Sequence, residues 1–188
     1  MGFYDTEDGV KEYVEATEGY DGAELVKILT KHLPKGATVL ELGTGPGRDL
    51  ELLSRTHQVT GSDSSAAFLD LYRKKNRQAD LLLLDATTME SDRRFDCIYS
   101  NKVLHHLTKD ELKTSLQKQR AILNTDGLLM HSFWYGKKEE EYEGLRFVHY
   151  TEQELEELGA DGFEVVEMNR YQEMAQDDSI YLLVRRTQ

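Results

Sequence analysis

The sequence predicts an α/β protein in which a doubly wound, mostly parallel sheet carries helices on both faces. Short apolar runs alternate with segments whose apolar residues recur every three or four positions, which is typical of alternating strands and helices. Two strand-like runs close the chain at about 163–170 and 179–185, and Asp177-Asp178 between them favours an antiparallel hairpin. A length of 188 residues suits one domain, which we expect to span residues 1–188.

Five strands and five helices precede or flank that hairpin. The strands are predicted at about 37–42, 58–62, 81–84, 95–100 and 128–133, and the helices at about 21–33, 47–55, 64–75, 108–123 and from Thr151 onward. Three helices begin with a capping box, which pairs Asp21 with Glu24, Thr108 with Glu111 and Thr151 with Glu154. The continuous apolar run at 81–84 predicts a strand buried on both faces. Ligands of such sheets bind beyond the carboxyl ends of the strands.

Composition and charge narrow the class of partner. A net charge of −12 and a pI near 4.9 oppose binding to nucleic acid or to anionic membranes. The basic clusters at 73–75 and 137–138 are short and predict solvated surface. No apolar run approaches the roughly 20 residues that span a bilayer, and the polar N-terminus is unlike a signal peptide. We therefore expect a cytoplasmic protein, monomeric or homodimeric, without nucleic-acid or membrane partners.

The segment VLELGTGPGRDL at 39–50 predicts a glycine turn between the first strand and the next helix. Gly43, Gly45 and Gly47 let the backbone approach a small ligand near a helix N-terminus. The dinucleotide fingerprint G-x-G-x-x-G would need a glycine where Arg48 stands, which disfavours an NAD-binding oxidoreductase. A plain strand-to-helix connection is the simpler alternative.

Acidic residues follow the next two strands. Asp63 can accept hydrogen bonds from both hydroxyls of a ribose, although Asp63 or Ser64 could instead cap the following helix. Asp85, just before Ala86, can accept from the exocyclic amine of adenine, although it could also be a solvated loop residue. Together with the glycine turn, these positions predict a site for an adenosine-containing ligand.

These motifs resemble the class I S-adenosylmethionine-dependent methyltransferases, especially the small-molecule branch called type 11. The resemblance runs from about Tyr20 to Arg185, and its matching segments are 41–47, Asp63, Asp85-Ala86, 95–107, 124–129 and 150–166. It implies a seven-stranded Rossmann-like methyltransferase sheet in the order 3-2-1-4-5-7-6, with strand 7 antiparallel. It also implies S-adenosylmethionine as cofactor and S-adenosylhomocysteine as product.

The resemblance further implies the roles of individual residues. Gly43 and Gly45 would lie against the methionine and ribose, and Glu41 would order the turn. Backbone atoms of Asn101 and Lys102 would contact the methionine portion. The full set expected to bind the cofactor is Tyr20, Glu41, Gly43, Thr44, Gly45, Gly47, Asp63, Ser64, Asp85, Ala86, Asn101 and Lys102.

The acceptor is predicted to be a small molecule. The family's Asn/Asp-Pro-Pro-Tyr/Phe signature for amino groups of bases and some proteins is missing, and the segment 101–104 stands in its place. A sulfonium methyl group needs positioning more than activation, so a base is required only if the acceptor must lose a proton. His105 and His106 are candidates for that base, with packing around the loop as the alternative. The doublet has no companion cluster, so no metal is expected.

Aromatic residues after the fifth strand predict an acceptor wall around an acidic insertion at 136–144. The residues expected to bind the acceptor are Tyr13, His106, Trp134, Tyr135 and His149. Residues 1–33, with Tyr4, Tyr13 and Tyr20, are expected to form a helical lid over a cofactor-binding core at 37–134. Residues 135–188 then supply the acceptor side and the closing hairpin. Arg48 could pair with a ligand carboxylate or with a surface acid. A non-catalytic S-adenosylmethionine-binding module is the main alternative to an enzyme.

Overall fold

The computed structural model describes residues 6–142 and 144–187, and in these ranges six helices flank a single nine-stranded sheet. The strands are β1 (Thr38–Leu42), β2 (Gln58–Asp63), β3 (Asp80–Leu83), β4 (Phe95–Asn101), β5 (Leu123–Tyr135), β6 (Glu139–Tyr142), β7 (Leu145–Tyr150), β8 (Phe163–Tyr171) and β9 (Ser179–Arg186). The helices are α1 (Glu7–Ala16), α2 (Ala23–His32), α3 (Arg48–Leu53), α4 (Ala66–Lys75), α5 (Lys109–Ile122) and α6 (Glu152–Gly159).

The sheet has the predicted strand order. β3, β2, β1, β4 and β5 are parallel neighbours, β9 runs antiparallel beside β5, and β8 pairs with β9. Counting β8 and β9 as strands six and seven confirms the order 3-2-1-4-5-7-6. Glu41 lies opposite Gly61 on one side and Tyr99 on the other, so the carboxyl ends of β1, β2 and β4 meet at one edge.

A second hairpin forms where the sequence indicated only an acidic insertion. β6 and β7 are antiparallel, and β7 joins the end of β5 through the pair Trp134 and His149. The side chains of β6 are all exposed, because a run of glutamates has nothing apolar to bury. Pairing to β7 and an ion pair between Glu139 and Arg146 hold this strand, and neither is visible as a local pattern.

Two local expectations are wrong. β3 is an edge strand with Leu83 67% exposed, rather than a strand buried on both faces, because nothing pairs with its outer side within the described residues. α2 begins at the N-cap Gly22 without a side-chain cap, and Asp21 accepts instead from the Ala23 amide at 3.0 Å. The capping boxes at Thr108 and Thr151 form as predicted.

The core lies on both faces of the sheet. Alternate residues of β4 point to opposite sides, so that Ile98 joins one cluster while Cys97 and Tyr99 join the other with α2. Cys97 is fully buried, and burial raises the pKa of its thiol. No helix in the described ranges is long and apolar enough to cross a membrane.

Candidate functional site

A cavity of about 510 Å³ opens at the edge where the parallel strands end. This volume lies within the range of small-molecule sites. Its walls come from the end of α1 and the following loop, the turn after β1, the loop after β4, the β6–β7 hairpin and the segment after β8. The lining residues that carry the argument below are Tyr13, Tyr20, Glu41, Gly43, Thr44, Gly45, Arg48, Asp49, Asn101, Lys102, His105, His106, Trp134, Tyr142, Leu145, Phe147 and Glu173.

The glycine turn after β1 uses left-handed backbone that side chains rarely adopt. Gly43, Gly45 and Gly47 have φ angles of +67°, +50° and +86°. A Cβ atom on Gly43 would lie 2.4 Å from the Val103 side chain, and one on Gly47 would lie 2.1 Å from the ring of Tyr72. At Gly45 the nearest side-chain atom, on Tyr13, would be 3.7 Å away. The turn is therefore packed against protein at Gly43 and Gly47, and Gly45 is where a ligand can approach the backbone.

Asp63 holds this turn in place. One carboxylate oxygen accepts from the Gly45 amide at 2.9 Å, and the other accepts from the Ser65 amide at 2.9 Å. Burial raises the pKa of Asp63, which is only 8% exposed. Ser65, rather than Asp63 or Ser64, is the N-cap of α4. Asp63 bonds to the glycine turn but is not among the residues that line the cavity, and neither are Ser64 and Gly47.

The expected adenine contacts lie beside the cavity rather than in its wall. Asp85 accepts from the amide and hydroxyl of Thr87, at 2.7 and 2.6 Å, which closes a short turn after β3. The carbonyl of Ala86 accepts from Ser115 Oγ at 2.5 Å. Both residues are at the end of the strand beside β2, as predicted, but neither lines the cavity.

Asp49 is a cavity residue that sequence reasoning missed. Its buried carboxylate accepts from the Gly22 amide at 2.7 Å, from the Tyr99 hydroxyl at 2.7 Å and from Asn101 Nδ2 at 3.1 Å. These bonds join α3 to the start of α2 and to the end of β4. The partners are 27 to 52 residues away along the chain, so no spacing in the sequence indicates them.

Glu41 is buried at the base of the turn, where it accepts from Thr44 Oγ1 at 3.0 Å. Burial, and then the neighbouring charge of Asp49, hold its pKa well above the ordinary value. The hydrogen bond between Glu41 and Thr44 lies within the turn, and the resemblance implied that Glu41 orders this turn. Glu41 also lines the cavity.

Arg48 fastens the N-terminal segment to the glycine turn. Its guanidinium donates to the carbonyls of Thr17, of Tyr20 at 2.9 Å and of Val14 at 3.4 Å. These carbonyls are at and just beyond the C-terminus of α1, where a cation is favourable. Arg48 thus pairs with backbone carbonyls. The two partners that the sequence suggested for it were carboxylates, one on a ligand and one on the protein surface.

The N-terminal segment forms one wall of the cavity. The ring of Tyr13 packs edge-on against Phe68 at 5.5 Å and stands over Gly45. Tyr20 also lines the cavity and is partly exposed. Tyr4, the third tyrosine of the expected lid, lies outside the described residues.

Lys102 contributes its side chain as well as its backbone. It has a left-handed φ of +56°, and its ammonium donates to the Phe133 carbonyl at 2.9 Å and to Ser179 Oγ at 2.6 Å. The same group sits 3.7 Å from the ring centre of Trp134. Burial lowers the pKa of Lys102 to about 7. The lysine therefore holds Trp134 in the cavity wall.

His105 and His106 have different surroundings. His106 Nδ1 donates to the Arg146 carbonyl, 2.6 Å away, which fastens β7 to the loop after β4. His105 is 2% exposed, and its ring stacks on Phe147 with centres 5.3 Å apart. Among the described residues, neither ring nitrogen of His105 has a hydrogen-bond partner. Burial holds its pKa well below the ordinary value, so the ring is neutral at pH 7.

Tyr135 and His149, two of the expected acceptor contacts, lie outside the cavity lining. The Tyr135 ring is covered by the guanidinium of Arg170 at 3.8 Å, and His149 Nδ1 lies 3.2 Å from the Tyr135 carbonyl. Tyr13, His106 and Trp134 do line it. The part of the wall expected for Tyr135 and His149 is occupied by residues of the β6–β7 hairpin, namely Tyr142, Leu145 and Phe147.

The described parts of the chain contain no group of three or more His, Cys, Asp or Glu side chains placed to hold a metal ion.

Comparison with known proteins finds similarity to methyltransferases. Residues 39–127 match the family model described as a methyltransferase domain. A crystal structure of the Burkholderia thailandensis 1,6-didemethyltoxoflavin-N1-methyltransferase, with 1,6-didemethyltoxoflavin and S-adenosylhomocysteine bound, is 25% identical. It superposes with a TM-score of 0.79 over 96% of this chain and 86% of that one. The chain is similar to a methyltransferase domain in sequence over residues 39–127, and to an S-adenosylhomocysteine-bound methyltransferase in fold over almost its whole length.

The curated relatives that this chain matches have different acceptors in their names. The trans-aconitate 2-methyltransferase of Variovorax paradoxus is 40% identical over 83 residues, which are 42% of this chain and 32% of that protein. The dTDP-3-amino-3,6-dideoxy-alpha-D-glucopyranose N,N-dimethyltransferase of Streptomyces fradiae is 29% identical over 119 residues, 61% of this chain and 46% of that protein. The matches span less than half the length of either relative.

Proposed function

We propose that this methyltransferase transfers the methyl group of S-adenosylmethionine to a small-molecule acceptor and releases S-adenosylhomocysteine. The observation that supports this most is the continuity of the cavity, which runs from Gly45 and Asn101 at the strand ends to His105 and Trp134. One cavity can therefore hold a methyl donor at the glycine turn and an acceptor at the aromatic residues.

The donor end fits a methionine and ribose. Gly45 lines the cavity and is the least crowded glycine of the turn, with Tyr13 the nearest side chain, and Asn101 and Lys102 also line the cavity. Each oxygen of Asp63 already accepts one amide, and a carboxylate oxygen can accept a second bond, which leaves capacity for ribose hydroxyls. We assign the adenine amine to Asp85, with Ala86 beside the ring, at the next strand end.

Tyr13 stands over Gly45 on the path to that donor site. We infer that residues 1–33 act as a lid, in which α1 packs on bound donor and Arg48 sets its position. Deletion of residues 1–19 should then weaken donor binding. An unchanged affinity in the shortened chain would refute the lid.

The chain's residues act chiefly by positioning. S-adenosylmethionine supplies a methyl group that is already activated by its sulfonium. Holding two reactants in line at attack distance contributes roughly 7–11 kcal/mol to lowering a barrier. Lys102 and Arg48 fix Trp134 and the N-terminal wall, which keep the acceptor in place and water out.

Calorimetry with S-adenosylmethionine, S-adenosylhomocysteine and NAD tests the donor site. We expect binding of the first two, and binding of NAD alone would refute the proposal. A transfer assay with isotopically labelled methyl donor then tests the reaction. Donor binding without any labelled product across a broad acceptor panel would identify a non-catalytic binding module instead.

A further inference from the structure

The charges in the cavity wall indicate which acceptors it can take. Five carboxylate side chains line it, and these are Glu12, Asp21, Glu41, Asp49 and Glu173. Arg48 and Lys102 are the only arginine and lysine among the lining residues in the described ranges. Recognition of an anionic acceptor usually needs an arginine or lysine with donors directed at it.

Both cations already use their donors on the protein. Arg48 donates to three carbonyls around the end of α1, and Lys102 donates to Phe133 and Ser179 while it caps the ring of Trp134. Moving either side chain to an acceptor would undo a wall of the cavity. The site is therefore poorly suited to a carboxylate or phosphate acceptor and suited to a neutral or cationic one.

Glu173 is the carboxylate best placed for a cation on the acceptor side. Asp178 accepts from the amides of Glu173, Met174 and Ala175 at 2.8 to 2.9 Å, which fixes this segment after β8. The Glu173 side chain is half-buried and lines the cavity. Burial raises the pKa of the Glu173 carboxyl above its ordinary value, and the charge of Lys102 opposes that rise.

His105 supplies a second, uncharged contact. Its two ring nitrogens are buried at the cavity without a hydrogen-bond partner among the described residues, which costs free energy unless a ligand uses them. Because the ring is neutral, it accepts a hydrogen bond from an N–H group without repelling a cation. The rings of Phe147 and Trp134 lie beside His105 and line the same cavity, so they supply apolar surface for the carbon atoms of a ligand.

We propose that the acceptor is a small organic amine, bound between Glu173, His105 and the aromatic side chains. The proposal rests on the methyl-transfer function proposed above. The amine enters as its ammonium ion, and one proton passes to the Glu173 carboxylate and then to solvent. His105 accepts a hydrogen bond from the remaining N–H and orients the nitrogen lone pair. An N–C bond forms as the C–S bond breaks, its electron pair goes to sulfur, and the products are an N-methylammonium ion and a neutral thioether.

The first experiment identifies the class of product. The full chain is incubated with ¹⁴C-methyl S-adenosylmethionine, a panel of amines, phenols, thiols and carboxylates of matched size, and a deproteinised bacterial extract. We expect labelled product that binds a cation exchanger at acid pH and survives alkali. Label released by alkali as methanol indicates a methyl ester and overturns the amine proposal alone, as does label in a neutral or anionic product. Intact donor binding with no labelled product overturns both proposals.

The second experiment tests Glu173 and His105, and it uses the amine that the first experiment identifies as acceptor. Glu173→Gln should lower kcat/KM roughly a hundredfold, and the remaining activity should rise with pH toward the pKa of the free amine. Glu173→Asp should restore part of the loss, and the exposed Glu164→Gln should change nothing. An identical pH profile in wild type and Glu173→Gln would overturn the role of Glu173.

His105→Phe keeps the stacked ring and removes both nitrogens. It should lower kcat/KM for the amine about tenfold or more while the Kd of S-adenosylmethionine is unchanged. His57 is a matched control because it is also buried but lies outside the cavity lining. His57→Gln should leave the kinetics unchanged, and equal kinetics for His105→Phe and wild type would overturn the contact.

Discussion

The glycine turn at residues 43–47 and the aromatic wall formed by His105, Trp134, Tyr142 and Phe147 border the same cavity and are built differently. Polar groups at the turn are satisfied within the protein, since Asp63 bonds Gly45 and Ser65. At the aromatic wall, both nitrogens of a buried imidazole lack a partner in the described structure. The first region is preorganised, whereas the second leaves hydrogen-bonding capacity for a ligand and gives up stability for it.

The largest expected effect is the loss of stability when a side chain is added to the glycine turn. Gly47→Ala combines left-handed strain with a Cβ 2.1 Å from the Tyr72 ring, and should cost about 2–4 kcal/mol of unfolding free energy. Gly36→Ala is the matched control, since its φ is +83° and its Cβ would meet nothing within 4 Å. It should lose only about 1–2 kcal/mol. Urea unfolding measures both, and equal losses would contradict the close packing of Gly47 on Tyr72.

Two buried histidines contrast satisfied with unsatisfied groups. His131 Nδ1 lies 2.8 Å from Ser100 Oγ, and Nε2 lies 2.8 Å from Gln119 Oε1. His131→Leu leaves these two partners buried without it and should cost about 2–4 kcal/mol. His105→Phe should be neutral or stabilising by about 1 kcal/mol, because it removes two unpartnered nitrogens. A similar loss in both variants, measured by urea unfolding, would show that His105 has a structural partner.

The dependence of stability on pH also tests the difference between the two histidines. Burial lowers the pKa of His131 to about 3 from 6.5, so below pH 6.5 the unfolded chain binds a proton that the folded chain does not. Stability from this group is therefore lost as pH falls from 6.5 toward 3, at about 1.4 kcal/mol per pH unit. We measure the free energy of unfolding in urea at pH 6, 5 and 4. For His131→Leu it should fall with decreasing pH less steeply than for wild type, by about 1.4 kcal/mol per pH unit. Parallel slopes would mean that His131 is protonated in the folded protein.

Asp63→Ala separates donor binding from acceptor binding. It removes the carboxylate behind the turn and should raise the Kd of S-adenosylmethionine ten- to a hundredfold, or about 1.4–2.8 kcal/mol. Asp85→Ala removes the carboxylate assigned to the adenine amine, and because Asp85 is exposed and water competes for that hydrogen bond, a smaller loss is expected. Calorimetry on folded variants measures both. An unchanged Kd for Asp63→Ala would refute its proposed ribose role.

The smallest effect concerns the connection between the turn and α1. Arg48→Gln removes the guanidinium bonds to the carbonyls of Thr17, Tyr20 and Val14, and should weaken donor binding by about 0.5–1.5 kcal/mol. Amide hydrogen exchange in α1 should also accelerate. The exposed Arg55→Gln serves as control. Unchanged exchange in Arg48→Gln would show that other contacts hold α1.

Local patterns predicted the fold well and the acceptor side poorly. The capping boxes at Thr108 and Thr151 depend on neighbours within a few residues, and both were predicted. The strand order joins segments that are distant in the sequence, and it was expected from the family resemblance. The β6–β7 hairpin was missed because its glutamates have low strand propensity and are ordered only by pairing. Tyr135 and His149 were expected to line the cavity. The face of the sheet on which the side chains of a strand lie depends on the register of that strand.

The sequence by itself determined the alternation of strands and helices, the three left-handed glycines and the carboxylate at the end of β2. These features follow from short-range spacing, which sets backbone conformation. Only the tertiary structure decided that Asp49 and Glu173 face the cavity, that His106 is bonded to Arg146, and that His105 is not bonded. Whether a polar group finds a partner depends on how distant segments pack, and that is where the choice of acceptor lies.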